Sequence, residues 1–79
     1  MEISKRSKEE DILLKELGEN LRRIRESKQM TQEALAYEAG FSRSYYTEVE
    51  NGKRNISIIN IKKLADVLGI SLTEIFKTI

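Results

Sequence analysis

Cysteine, histidine and proline are absent from this 79-residue chain, and glycine occurs only four times. Without cysteine there is no disulfide and no thiol nucleophile. Without histidine there is no imidazole base, and with both missing nearly every zinc site is excluded. A site built from carboxylates alone would need a tight Asp/Glu cluster with a turn glycine, and none occurs, so neither a metal nor a cofactor is expected. A serine or lysine nucleophile would need a partner motif that is also missing, which argues against an enzyme. The lack of proline and scarcity of glycine favour long helices over a turn-rich sheet. No apolar run reaches membrane-spanning length, and Met1 to Asp11 lacks the apolar centre of a signal peptide, so a cytoplasmic protein with no membrane contact is expected. Charge of one sign is lacking too: 14 basic residues face 13 acidic ones. Any nucleic-acid role must therefore come from where the charges sit, not from their sum.

What is present reads as one all-α domain. A chain this short buries only about 60–65% of its unfolded surface, so stability is marginal unless packing is good or a partner helps. Met1 to Asp11 is polar and charge-dense and reads as a flexible lead-in, leaving 12–79 as the domain. From about Ile12 to Lys28, Leu14, Leu17, Leu21 and Ile24 recur at spacings of three and four, one buried stripe on an amphipathic helix. Gly18 interrupts that helix at a cost of roughly 1 kcal/mol against alanine and marks a close helix crossing. Thr31, Ser42, Ser57 and Ser71 each stand where a hydroxyl would cap a further helix, and Ser71 with Glu74 spells a capping box. Gly40, Gly52 and Gly69 follow the second, third and fourth helices, where a left-handed residue is wanted. Five helices joined by short turns result.

The informative stretch is QEALAYEAGFSRSYYTEVEN, residues 32–51. Two short helices joined by a tight turn can cross steeply only where their contact residues are small, and Ala36 and Gly40 meet that need. Leu35, Ala39, Phe41, Tyr46 and Val49 then face inward. Arg43, Ser44, Thr47 and Glu48 face outward on the second helix of the pair, as polar side chains able to meet base edges.

The segment resembles the helix-turn-helix of the lambda-repressor/Cro family of regulators, with Thr-Gln at 31–32, Leu-Ala at 35–36, Ala-Gly at 39–40 and Glu-Asn-Gly-Lys at 50–53. The likeness runs from about Leu17 to Phe76. Ser-Arg-Ser-Tyr at 42–45, Glu-Val-Glu at 48–50 and Lys-Arg-Asn-Ile-Ser at 53–57 are similar, within that family, to the controller proteins of restriction–modification operons. The resemblance implies a five-helix lambda-repressor-like domain that regulates transcription by binding double-stranded operator DNA. It implies that Gln32 bonds a phosphate, through its side chain and its exposed amide. Arg43 would read guanine through its two-pronged guanidinium, with Ser44 and Thr47 adding base or phosphate contacts. Tyr45, Asn51, Lys53 and Arg54 would hold the backbone on either side, with Arg54 reaching toward the minor groove. Arg25 and Glu50 match a structural ion pair between the first and third helices.

Two positions depart from the family pattern. Tyr46 stands where an aliphatic residue is usual, so its ring must either enlarge the core or push its hydroxyl to the rim. Glu48 either accepts from cytosine N4 or is held away from phosphate by Arg43 or Lys53. In the terminal segment, Ile70, Leu72, Ile75, Phe76 and Ile79 are too many large apolar residues for one stripe. With Ile58, Ile59 and Ile61 they are either plain core or, on the sharper reading, a symmetric homodimer interface for binding two half-sites. The competing function is a protein-interaction module, an antitoxin or repressor partner using the same fold. An activator would also need an exposed patch against RNA polymerase, for which Glu33 and Glu38 are candidates by position.

Overall fold

The computed structural model of the chain describes residues 6–79, and every helix in it opens on a hydroxyl. Ser7, Thr31, Ser42, Ser57 and Ser71 have extended backbones, and each side chain accepts from the amide three residues on. Each cap satisfies one of the donors that a helix start leaves unpaired. The helices that follow are α1 (Lys8–Ser27), α2 (Gln32–Ala39), α3 (Arg43–Glu50), α4 (Ile58–Leu68) and α5 (Leu72–Ile75). There is no strand among the described residues. Gly40 and Gly69 close α2 and α4 in the left-handed conformation, with φ of 85° and 71°.

One boundary and one cap differ from the sequence expectation. α1 begins at Lys8, four residues before Ile12, because Ser7 and Glu10 form a reciprocal capping box that the charge-dense composition concealed. Of the expected lead-in, residues 1–5 lie outside the described residues, and 8–11 are helical. The box expected at Ser71 is only half made: the Ser71 hydroxyl accepts from the Glu74 amide at 3.3 Å, without the return bond seen at Ser7.

The core gathers Leu17 and Leu21 of α1, Leu35 and Ala36 of α2, Tyr46 and Val49 of α3, Leu64 and Leu68 of α4, and Ile75 of α5. α1 lies against α3, and the cause is Gly18. A methyl group placed there would fall 2.2 Å from the Glu50 carbonyl oxygen and 2.8 Å from that of Val49. The opposite side of α1 carries Asn20, a buried polar residue that sequence reading overlooked. Its amide nitrogen donates to the carbonyls of Ile75 at 2.9 Å and Lys77 at 3.1 Å. These acceptors at the end of α5 have no helical partner, so Asn20 both satisfies them and pins the last turn to the first helix.

The expected terminal interface needs correction at one residue. Ile75 is fully buried within the single chain and belongs to the core. Ile70, Leu72 and Phe76 are half-buried against that core, and Ile79 is exposed. The aliphatic surface lies elsewhere as well: Ile58 and Ile59, in the first turn of α4, are 58% and 67% exposed, while Ile61 is buried. A one-turn helix seated between α1 and α4 buries whichever side faces both, and apolar count alone does not reveal which.

Substituting Gly18→Ala should lower stability by about 1–3 kcal/mol, because backbone atoms cannot yield as a flexible side chain would. The usual gain of roughly 1 kcal/mol from replacing a helical glycine is overridden. Chemical denaturation of the two proteins measures the sign directly.

Candidate nucleic-acid interface

α3 is phased by its cap. With Ser42 at the start, Tyr46 and Val49 point into the core, while Arg43, Ser44, Thr47 and Glu48 line one shallow hollow on the outer side. The turn into α3 is held by the amide of Phe41, which donates to the carbonyl of Ala36 at 2.8 Å. Arg43 and Ser44 are exposed, and Thr47 is half-buried. Arg43 makes no ion pair among the described residues. The structure therefore brings together the four outward residues expected from the sequence.

Behind this hollow lies a buried network. Arg25 Nε donates to Glu50 Oε2 at 2.6 Å, and Arg25 Nη2 to Oε1 at 3.3 Å. The remaining arm, Nη1, donates to the Met30 carbonyl at 2.7 Å, tying the pair to the α1–α2 turn. The Tyr46 hydroxyl donates to Glu50 Oε2, and Gln32 Nε2 donates to Glu50 Oε1 at 2.9 Å. Thr47 Oγ1 in turn donates to Gln32 Oε1 at 3.1 Å. No buried side-chain polar atom among the described residues lacks a partner.

The expected Arg25–Glu50 ion pair is present, and the Tyr46 question is answered by it. The ring is fully buried in the core, and its hydroxyl stays inside because it donates a hydrogen bond to Glu50. Burial, then the bond to Glu50, pushes the Tyr46 hydroxyl far above its ordinary range. Burial alone would raise the Glu50 carboxyl; the bonds from Arg25, Tyr46 and Gln32 outweigh it and hold the group below the usual carboxylate value. The bond to Glu50 raises Arg25 against the opposing pull of desolvation. Gln32 differs from expectation in one respect: one amide hydrogen and the carbonyl are engaged inside, so a single hydrogen of its side chain remains for an outside acceptor.

At the edge of α3, Tyr45 anchors a second cluster. The Arg54 guanidinium lies 4.9 Å from the Tyr45 ring centre. Phe41 meets the same ring edge-on at 5.1 Å between centres. Asn60 Nδ2 donates to the Tyr45 hydroxyl at 3.2 Å, and Lys63 lies 6.0 Å from the Phe41 ring. Asn60 and Lys63 of α4 were missed by the sequence reading; the Ser57 cap, which sets the phase of α4, was the available signal. Glu48 is paired with neither Arg43 nor Lys53, the partners expected for it, but with Arg54 at 3.6 Å. Arg54 can reach it because the chain reverses at Gly52, which has a φ of 74°. The Lys53 amide donates to the Glu48 carbonyl at 2.8 Å, and the side chains of Asn51 and Lys53 are exposed.

This geometry sets the chain among known proteins. The family model described as "Helix-turn-helix" (HTH_3) matches residues 21–75. The control protein C.MunI of Mycoplasma sp is 41% identical over 63 residues, covering 78% of this chain and 85% of the relative. The crystal structure of the restriction–modification controller protein C.AhdI from Aeromonas hydrophila superposes with a TM-score of 0.78 at 46% identity, covering 80% of this chain and 96% of that one. The controller protein C.Esp1396I, crystallised as a tetramer with its natural 35 base-pair operator, gives 0.75 at 32% identity over 82% of this chain and 86% of its own. The chain belongs to the helix-turn-helix (HTH_3) family of transcriptional regulators.

The network makes an acid-dependence prediction. The folded Glu50 carboxyl binds a proton less readily than the unfolded one, whose value is near 4.5. Its contribution is thus complete well above that pH and is lost as pH falls through the lower folded value. Glu50→Gln should cost about 3 kcal/mol at neutral pH, by leaving Arg25 buried without its counter-charge. It should also flatten the fall in stability below pH 4.5; urea titrations of both proteins between pH 3 and 7 test this.

Proposed function

We propose that the chain binds double-stranded operator DNA in a sequence-specific manner, presenting α3 to the major groove. The observation that carries this is the outer hollow of α3, in which unpaired Arg43 stands beside Ser44 and Thr47 on a rigid backing. A guanidinium in that position matches guanine O6 and N7 with two parallel bonds. Lys53 and Arg54 after α3, the Asn51 side chain and the second amide hydrogen of Gln32 supply phosphate contacts on the two sides. Glu48 holds Arg54 near the Tyr45 ring until phosphate competes for it. Because net charge is only +1, affinity rests on this local group and on a second copy of the motif.

We infer a homodimer for that reason and from the exposed aliphatic residues Ile58, Ile59 and Ile79. The similar C.Esp1396I assembles on its operator, which supports the same arrangement here. Similarity to C.MunI and C.AhdI supports control of a restriction–modification operon as the narrower role. In an activating role, exposed Glu33 and Glu38 on α2 would meet RNA polymerase.

Selection from a random duplex pool should return a two-fold-related sequence. On that sequence Arg43→Ala should weaken binding about fivefold to 150-fold, roughly 1–3 kcal/mol, with little change on random duplex. An equal loss on both would mean that Arg43 reads no base. Lys53→Ala should weaken all duplexes alike and reduce the slope of log affinity against log salt by about 0.9, measured by fluorescence anisotropy.

A further inference from the structure

The two hydroxyls in the outer hollow of α3 are not equivalent. Among the described residues the Ser44 side chain has no hydrogen-bond partner, so its proton can turn either way. Thr47 is committed by a chain of bonds that begins in the core. Glu50, held ionised by Arg25 and Tyr46, can only accept. The Gln32 amide must therefore turn its nitrogen toward Glu50 and its carbonyl oxygen away. That oxygen meets Thr47 Oγ1 at 3.1 Å, and since a carbonyl cannot donate, the threonine proton points at Gln32. What Thr47 offers the hollow is lone pairs and a methyl group.

We propose that Thr47 is a base reader of fixed polarity, accepting from an exocyclic amino group in the major groove. The inference rests on the DNA-binding reading above and deepens it. Only adenine N6 and cytosine N4 present donors in that groove. Thr47 thus favours adenine or cytosine on the strand it faces and disfavours guanine and thymine, whose edges there carry acceptors. Phosphate is excluded as its partner for the same reason, because a phosphate oxygen needs a donor and the only one on Thr47 is taken. Tyr46 and Gln32 act as positioning residues: neither need touch the base, yet together they determine which way the Thr47 proton points.

Pools of random duplex are selected with the wild-type protein, Thr47→Val, Thr47→Ser and Gln32→Met, folding being checked by circular dichroism. The wild type should show one position in each half-site restricted to adenine or cytosine. Thr47→Val, which keeps the shape and loses the hydroxyl, should relax that position alone. Thr47→Ser, which keeps the hydroxyl, should retain the restriction. Gln32→Met, which frees the threonine proton, should admit guanine or thymine there while the position read by Arg43 stays fixed. In the selected duplex, replacing the adenine by 2-aminopurine, or the cytosine by its analogue lacking the N4 amino group, should cost the wild type roughly threefold to tenfold and Thr47→Val nothing. Unchanged preferences in Thr47→Val would overturn the proposal. So would a uniform loss on every duplex with a reduced salt slope, the signature of a phosphate contact. Failure of the wild type to enrich any sequence would instead overturn the DNA-reading function beneath it, and this inference with it.

Discussion

The Arg25–Glu50 pair is the contact on which the arrangement of α1, α2 and α3 depends. Taking two charges out of water costs several kcal/mol for each ion, on the order of what the mutual attraction returns, so such a pair adds little stability against a well-packed apolar substitute. What it contributes here is direction. Glu50 accepts from residues of α1, α2 and α3, and the spare arm of Arg25 reaches the Met30 carbonyl in the turn between α1 and α2. Apolar side chains resist separation but tolerate sliding, whereas hydrogen bonds from three helices to one carboxylate define an angle. Gly18 contributes the other half of that constraint, because it lets α1 come close enough to α3 for Arg25 to reach Glu50.

The outer cluster is built on weaker terms. Arg54 is about half exposed, as is Glu48, and such a pair contributes at most about 1 kcal/mol. Its position beside the Tyr45 ring adds a comparable amount. These contacts bias Arg54 toward one side of α3 without binding it tightly. The buried and exposed networks thus divide the work: one holds α3 rigid against the body, the other keeps a cation ready beside it. With positive and negative charges nearly balanced across the chain, this placement matters more than the total.

Much of the fold was legible because it is written in local chemistry. Thr31, Ser42, Ser57 and Ser71 cap as expected, and Gly40 and Gly69 end their helices as left-handed residues. The four outward residues of α3 follow from the same phase. What escaped depends on partners distant in sequence. Asn20 is explained only by carbonyls 55 and 57 residues away, which no periodicity can indicate. For Tyr46 the inward ring was legible, but the sequence left open whether its hydroxyl stays in the core or reaches the rim, because the acceptor that keeps it inside, Glu50, is itself buried against Arg25 of another helix. Ile75 and Ile58 have identical side chains and opposite environments, one in the core and the other in the open. Apolar count sees two isoleucines, and only the packing of α5 between α1 and α4 separates them.

Stability and recognition are therefore coupled to different degrees at different residues. Arg43 lies outside the buried network, so altering it changes what the surface offers with little effect on the scaffold. Glu50 lies at the opposite extreme: it never faces the hollow, yet its charge fixes the Gln32 amide and, through it, the Thr47 hydroxyl. Tyr46 lies between them. A leucine in its place would keep much of the apolar volume but would leave Glu50 with one donor fewer, loosening the orientation of everything bonded to it. A tyrosine where the sequence resemblance leads one to expect an aliphatic residue thus concerns the polarity of the network behind α3 as well as the size of its core.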